Sequence, residues 1–308
     1  MGRLSAFILG SAAGGGLPQW NCNCNVCRLV RAGDPRVKPR TQASIAVTAG
    51  YAPNEPSFAS PFVLVNASPD LRQQIIATPA LWPRGLRTSP IAAVVLTGGE
   101  VDQTAGLLTL RERGPFGLYG TSGTLSTLAA NSIFSVLAAD VVSRHVVKSG
   151  APFRLPGGIE AELFLVPGKA PLYLEGDSPE LDAETDANVG IEVRAENARL
   201  IFIPGAAKVT PAITMRLADA DVVLFDGTLF SDDEMIAAGA GVKTGRRMGH
   251  MPLAGPEGTL ATLAGLARRR ILIHINNTNP ILIEGSPQRR AVEAAGFEVA
   301  EDGMRIEL

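Results

Sequence analysis

All three cysteines of the chain fall in one short stretch, W-N-C-N-C-N-V-C, at positions 22, 24 and 27. The spacing C-x-C-x-x-C puts three thiols on one tight loop. A disulfide across a single intervening residue is strained, and a third cysteine would be left over. Zn²⁺, in contrast, takes soft ligands in a closed tetrahedral set. Cys22, Cys24 and Cys27 therefore read as three ligands of a structural zinc site whose fourth ligand comes from far away in the sequence. A redox role fits less well, since nothing else resembles a thioredoxin unit.

The histidines are equally few, at 145, 250 and 274. His145, in S-R-H-V-V, has no acidic or cysteine companion and reads as a surface or packing residue. His250 sits in R-M-G-H-M-P. His274 ends the apolar run I-L-I-H, directly before N-N-T-N-P. Asp226 ends V-V-L-F-D in the same manner, and V-V-L-T-G-G-E-V-D-Q places Glu100 and Asp102 just after a third apolar run. Polar groups at strand ends beside irregular loops are well placed for metal or acid–base chemistry. Asp102, Asp226, His250 and His274 form a two-histidine, two-carboxylate set. It suits Fe²⁺, Mn²⁺ or Zn²⁺ and matches non-haem iron oxygenases in ligand type. Spacing alone does not separate this reading from carboxylates that merely cap loops.

The elements that must position these groups alternate along the chain. Strands are expected at 4–9, 42–48, 62–66, 92–97, 161–166, 188–194, 200–203, 222–226 and 271–275, each short, apolar or β-branched, and bounded by turn residues. Helices are expected at 70–78, with Ser68 as its cap and Pro69 in its first turn, and at 104–112, 122–137, 231–238, 259–269 and 288–295. Residues 298–308 read as a terminal hairpin around Asp302-Gly303. The first half is strand-rich and the second alternates strand and helix. That pattern predicts packed sheets with helices outside, rather than a simple doubly wound sheet. The glycine-rich G-S-A-A-G-G-G at 10–16 lacks the spacing of a dinucleotide loop, so it reads as a tight turn needing positive φ, able to border a pocket. The acidic stretch 175–188 lacks aromatics and reads as disordered.

With 308 residues, 46% of them hydrophobic, the chain can bury a large core as one α/β domain or two smaller ones. A formal net charge of −2 gives no reason to expect nucleic acid or an anionic membrane as partner. No apolar run approaches the ~20 residues that span a bilayer. The run at 4–9 is short for the apolar region of a signal peptide, so a first strand and a cytoplasmic protein are expected.

Taken in order, the stretches G-S-A-A-G-G-G, P-Q-W-N-C-N-C, K-P-R-T-Q-A-S-I-A-V, N-A-S-P-D-L-R-Q-Q-I, V-P-G-K-A-P-L-Y, F-I-P-G, L-F-D-G-T, R-M-G-H and H-I-N-N-T-N-P resemble the pyrroloquinoline quinone (PQQ) biosynthesis protein B family. The resemblance covers essentially the whole chain. It implies one α/β (α+β) domain over 1–308, a metallo-β-lactamase-like αβ/βα four-layer sandwich with two mixed β-sheets flanked by helices. The wider superfamily binds metals through H-x-H-x-D-H. Laid on T-G-G-E-V-D-Q, the first histidine falls on Gly98, the second on Glu100, the aspartate on Asp102 and the last histidine on Gln103. The bridging aspartate of the hydrolases falls near Ala206. Glutamine is a weak ligand, so the resemblance leaves Asp102, Asp226 and His274 to hold an active-site metal, with His250 moving protons and Glu100 as a substitute ligand. It also places Asn277, or a water held by it, as the fourth group of the cysteine site.

The implied role is in making PQQ, with a PQQ precursor or PQQ itself as the small-molecule partner. One form of that role is an Fe(II)-dependent hydroxylase acting on the tyrosine ring of the glutamate–tyrosine precursor. The other is a non-enzymatic carrier involved in transport to the periplasm. Metal-dependent hydrolysis ranks last. An anionic amino-acid substrate calls for cations, and Arg40, Arg72, Lys169, Arg246 and Arg247 are the candidates. Neither nucleic acid nor membrane is expected as partner, and homo-oligomerisation is left open.

Overall fold

The computed structural model describes residues 3–51, 60–176 and 180–308. Fourteen strands run along these residues: β1 Leu4–Gly10, β2 Ser44–Ala49, β3 Phe62–Val65, β4 Ile91–Val95, β5 Phe116–Gly120, β6 Val142–Val146, β7 Pro152–Leu155, β8 Ile159–Leu165, β9 Val189–Ala195, β10 Ala198–Ile203, β11 Val222–Asp226, β12 Arg269–Ile273, β13 Glu298–Val299 and β14 Arg305–Glu307. They form two seven-stranded sheets, ordered β14-β1-β2-β3-β4-β5-β6 and β13-β12-β11-β10-β9-β8-β7. Both sheets are mixed. From β3 to β6 and from β10 to β13 the neighbours run parallel, and the remaining pairs are antiparallel.

Strand alternation explains the layers. Leu4, Ala6 and Ile8 face the same inter-sheet core as Leu200, Phe202, Val222, Leu224, Ile271 and Ile273. Their odd-numbered and even-numbered neighbours face outward instead. Leu64, Val94 and Leu96 pack beneath the helices of the first sheet, and Ile201, Ile203, Val223, Phe225 and Leu272 beneath those of the second. A strand covered on both faces has no polar side, which is why 62–66 and 222–226 read as unbroken apolar runs. The result is a four-layer sandwich, as the sequence pattern and the family resemblance together imply.

The elements differ from expectation at specific places. Residues 298–308 do not form a hairpin: β13 joins the second sheet and β14 the first, so the chain crosses between sheets at Asp302-Gly303. Asp302 is retained in this crossing by Thr41, whose amide and hydroxyl both donate to its carboxylate at 2.7 Å. The helix Leu71–Ala77 has Asp70, not Ser68, at its N-cap, and the Asp70 carboxylate serves the Gln42 amide groups rather than the helix. Strands β5, β6 and β7 and the helices Asn25–Arg31, which carries Cys27, and Pro211–Ala218 were not anticipated. The latter helix begins on a Thr-Pro pair, with the Thr210 hydroxyl accepting from the Ile213 amide. The long helices expected at 122–137 and 259–269 are broken after Ala130 and Thr262.

Of the acidic stretch 175–188, residues 177–179 lie outside the described residues. On either side the chain is tied down, through Glu175 to Arg247 at 2.5 Å and through Asp186 to the Gly123 amide at 2.8 Å. No helix among the described residues is long and apolar enough to cross a membrane.

Candidate metal centres and the cavity between the sheets

In open α/β sheets, ligands bind outside the carboxyl ends of parallel strands. Strands β4, β10, β11 and β12 all deliver residues to one such place. Asp226 is the last residue of β11 and continues the inter-sheet face set by Val222 and Leu224. His274 follows β12 directly, in the left-handed region at φ 58°, which side chains adopt at a cost. Its conformation is fixed by its neighbours: the Gly227 amide donates to the Ile273 carbonyl at 2.7 Å, and the Thr228 hydroxyl lies 3.0 Å from the His274 carbonyl. Asp102 lies on the short helix Val101–Thr104 that follows β4.

These groups form two histidine–carboxylate pairs. His250 Nδ1 lies 2.7 Å from Asp226 Oδ2, and His274 Nε2 lies 3.0 Å from Asp102 Oδ2. The rings stack with centroids 5.3 Å apart and planes 22° apart. Thr228 joins the pairs. Its Oγ1 lies 2.6 Å from Asp226 Oδ1, 3.1 Å from His250 Nδ1 and 2.9 Å from His274 Nδ1. Burial opposes charge on Asp102, Asp226 and His274, but their partners outweigh it. The His274 pKa is raised, its bond to Asp102 overcoming desolvation. Asp102 and Asp226 are held below the usual carboxylate range, burial being overcome by His274 for the first and by His250 for the second.

Ligand atoms of Asp226, His250 and His274 come within 4.8 Å of one another. Asp102 joins this trio through His274. The Thr228 hydroxyl, however, already takes up the inner atoms of the trio, and Asp226 is fully buried behind the rings. The groups that line the adjoining cavity are Asp102, His250, His274 and Thr228. Sequence reasoning singled out both pairs but missed Thr228. Its signal was present in L-F-D-G-T, where a hydroxyl two residues after a strand-end carboxylate can reach back to it.

The cavity has a volume of about 570 Å³ and is walled by Ala13, Val101, Leu172, Tyr173 and Met248 among others. Gly14 and Gly15 of the glycine-rich turn border it, Gly15 at φ 94°. Of the five cations expected to meet a substrate, Lys169 lines the cavity. Arg40 does not: it is buried elsewhere, donating to the Ala300 carbonyl and to Ser11, with Glu301 nearby. It ties the glycine-rich side of the fold to the end of β13. Arg72 is exposed on the helix Leu71–Ala77, and Arg246 is exposed beside Glu257 at 3.6 Å. Arg247 is engaged by Glu175. Lys243 lines the cavity and was missed, although it stands in the basic run G-V-K-T-G-R-R.

Gln103 turns away from the metal role that the sequence pattern assigns to its position. Its Oε1 accepts from the Glu100 amide at 3.2 Å, and the Glu100 carboxylate accepts from the Gln103 amide, a reciprocal cap on the helix Val101–Thr104. A Cβ on Gly98 would stand 2.5 Å from that Oε1 and 2.9 Å from the Ala187 carbonyl oxygen, so position 98 has no room for a ligating side chain. Glu100 is likewise occupied, by Lys169 Nζ at 3.3 Å and the Leu172 amide at 3.0 Å. Ala206 offers only its amide, which donates to Asp226 at 2.9 Å. Thus none of Gly98, Glu100 and Ala206 offers a free metal-ligating side chain.

The second centre lies on the far side of the His274 loop. The sulfurs of Cys22, Cys24 and Cys27 also come within 4.8 Å of one another, and Asn277 Nδ2 lies 3.2 Å from Cys27 Sγ and 3.6 Å from Cys24 Sγ. Burial and the neighbouring thiols push Cys24 up to about 12, while Cys22 is lowered by bonds from Cys24 that overcome its desolvation. Three sulfurs brought this close together are soft donors on one side of a single point, so the donor set fits a soft divalent ion. His145 is remote from both centres, exposed on β6 and stacked on Tyr119 at 4.4 Å.

Comparison with known proteins agrees with this fold. The β-lactamase superfamily domain matches residues 62–275. The coenzyme PQQ synthesis protein B of Methylobacterium nodulans is 53% identical over 99% of this chain and 100% of its own length. That of Methylorubrum populi is 54% identical with the same coverage. The crystal structure of Zn²⁺-bound PqqB from Methylobacterium extorquens superposes with a TM-score of 0.94 at 52% identity, covering 99% of this chain and 100% of that one.

Proposed function

The chain belongs to the coenzyme PQQ synthesis protein B family of the β-lactamase superfamily, and on that premise we propose that it oxidises the aromatic ring of a PQQ precursor at a single Fe(II) held between the sheets. One observation carries this reading. Asp102, His250 and His274 line the cavity as one carboxylate and two imidazoles, while the first-metal positions at Gly98 and Glu100 and the bridging position at Ala206 supply nothing free. Two imidazoles and a carboxylate with open positions suit non-haem Fe(II), whereas a dinuclear hydrolase needs the bridging set that is missing.

In this assignment Asp102, His250 and His274 would hold the ion, His250 taking the place that the resemblance gives to Asp226, whose ligand atom lies within 4.8 Å of those of both histidines but is buried behind them. When bound, Fe(II) would give O₂ a place to react, and each ring hydroxylation would draw two electrons from an added reductant such as ascorbate, one oxygen atom entering the ring and the other leaving as water. The chain's own residues do the rest. Asp226 fixes the ring of His250 and Thr228 fixes that of His274, so each histidine presents its outer nitrogen in one orientation. Lys169 and Lys243 offer charge to substrate carboxylates, and the apolar wall excludes water from the aromatic ring. Cys22, Cys24 and Cys27, completed by Asn277 or by a water it holds, form a structural zinc site. The zinc of the Methylobacterium extorquens relative supports a metal-bearing protein.

A carrier of PQQ or its precursor is the competing reading, favoured by Gln103 standing where the superfamily has a histidine. The two are separated by anaerobic reconstitution with Fe²⁺, addition of the glutamate–tyrosine precursor, ascorbate as reductant and then O₂, and measurement of O₂ uptake above that of a control without precursor. The proposal expects O₂ consumption with a hydroxylated product. Tight PQQ binding without any O₂ uptake would overturn it in favour of the carrier.

A further inference from the structure

The cavity mouth holds a cationic cluster that none of the metal chemistry uses. Lys169 and Lys243 line the cavity, and Arg247 stands just outside it. All three turn toward one carboxylate of the same chain, that of Glu175. Its Oε1 lies 2.5 Å from Arg247 Nη1, and its Oε2 lies 3.6 Å from Lys243 Nζ and 4.0 Å from Lys169 Nζ. The Glu175 side chain is only 6% exposed. Lys169 has a further partner in Glu100, but Lys243 and Arg247 share Glu175.

Glu175 is not part of a strand or helix. It follows a short turn, Leu172–Leu174, whose three side chains are largely exposed. That turn is tied to the loop after β4 by two hydrogen bonds: the Tyr173 hydroxyl donates to the Gly99 carbonyl at 2.6 Å, and the Leu172 amide donates to Glu100. A carboxylate anchored to three cations by a segment with little apolar burial is replaceable. An incoming anion of the same chemistry meets the same donors and returns the ordering already spent on them.

We propose that Lys169, Lys243 and Arg247 form the carboxylate subsite of the cavity, and that Glu175 occupies it in place of the substrate until an aromatic polycarboxylate displaces it. The inference rests on reading this cavity as the substrate site, but not on any redox step. It narrows the substrate class. The apolar wall takes an aromatic body, and the two lysines take at least one carboxylate next to it. Selection follows from competition: a neutral aromatic of the same size cannot displace Glu175, so it gains only the apolar contacts.

The test uses the full chain and two probes of one shape, benzene-1,3,5-tricarboxylate and its uncharged tricarboxamide, with affinities from calorimetry. Glu175→Gln removes the competing charge and keeps the shape, so the tricarboxylate is expected to bind about 3- to 10-fold more tightly, with no change for the tricarboxamide. Lys243→Met is expected to weaken the tricarboxylate about tenfold and again leave the tricarboxamide unmoved. If Glu175→Gln leaves the tricarboxylate unchanged, or weakens both probes alike, Glu175 is a strut and the inference is overturned. Should Glu175→Gln fail to fold, Lys243→Met decides alone, and unchanged tricarboxylate affinity overturns the subsite. Absence of O₂ uptake in the Fe²⁺ experiment would remove the oxygenase reading while leaving these affinity shifts in place.

Discussion

His274 Nε2 lies 3.0 Å from Asp102 Oδ2, a contact between residues 172 positions apart in the chain. It joins the loop after β4 in one sheet to the end of β12 in the other, across the crevice where both sheets present their carboxyl ends. Because the His274 backbone is in the left-handed region, the ring is directed by its loop rather than by strand alternation. That loop also carries Asn277, which faces the three cysteines. One short segment therefore borders both metal centres.

Two centres imply two separable metals. Cys24→Ala is expected to release zinc, and His274→Ala to abolish Fe²⁺ binding while zinc is retained. Elemental analysis of the purified variants, before and after anaerobic iron loading, checks this. Loss of the same single metal from both would show one site, not two.

Thr228 is expected to matter out of proportion to its size. Thr228→Val keeps the shape and deletes the hydroxyl shared by Asp226, His250 and His274. Leaving buried polar partners unsatisfied costs about 1–3 kcal/mol. Thermal unfolding should show that loss, and iron affinity should fall with it as the rings lose their orientation. Thr228→Ser should restore both.

Gln103→His restores one of the three histidines that the superfamily pattern has and this chain replaces, at 98, 100 and 103. The new imidazole is expected to tighten Fe²⁺ binding in an anaerobic titration. It also removes the bond to the Glu100 amide, so the helix Val101–Thr104 loses a cap worth about 1 kcal/mol. A tighter but less heat-stable protein is the expected result. Unchanged iron affinity would place residue 103 outside the metal's reach.

Glu234 makes stability depend on pH in an unusual sense. It is nearly buried beneath the His274 loop, accepting from Thr278 at 2.6 Å and from the Phe230 amide at 2.7 Å. Burial raises its pKa from 4.5 to about 7 in spite of those bonds. Between these two values the folded protein keeps a proton that the unfolded chain has lost, so stability falls as pH rises. The change is complete above pH 7 and amounts to about 3 kcal/mol, from 1.36 kcal/mol per pKa unit. Urea unfolding at pH 5 and pH 8 measures it, and Glu234→Gln should flatten the difference.

Much of this protein was determined by its sequence alone. The three cysteines at 22, 24 and 27 and the polar residues closing apolar runs at 226 and 274 are local facts of residue type and spacing, while the missing ligand at 103 follows from the family resemblance. Strand periodicity and the unbroken apolar runs foretold packed sheets with helices outside, since a strand buried on both faces must be apolar on both. The family resemblance added the order of the layers and pointed to Asn277.

Tertiary structure decided the rest. Which ring nitrogen of each histidine is taken up, and by which carboxylate, depends on how two sheets are set against each other. Sequence spacing holds no information about that distance. The same applies to Arg40, which looks like any loop cation until burial shows it tied to Ala300, and to Lys243, drawn to the cavity by Glu175. Residues 298–308 carry the local signature of a hairpin, yet their strands add to opposite sheets because each finds an open edge there. Local chemistry was legible because it depends on neighbours in the chain, and the site's geometry was not, because it depends on neighbours in space.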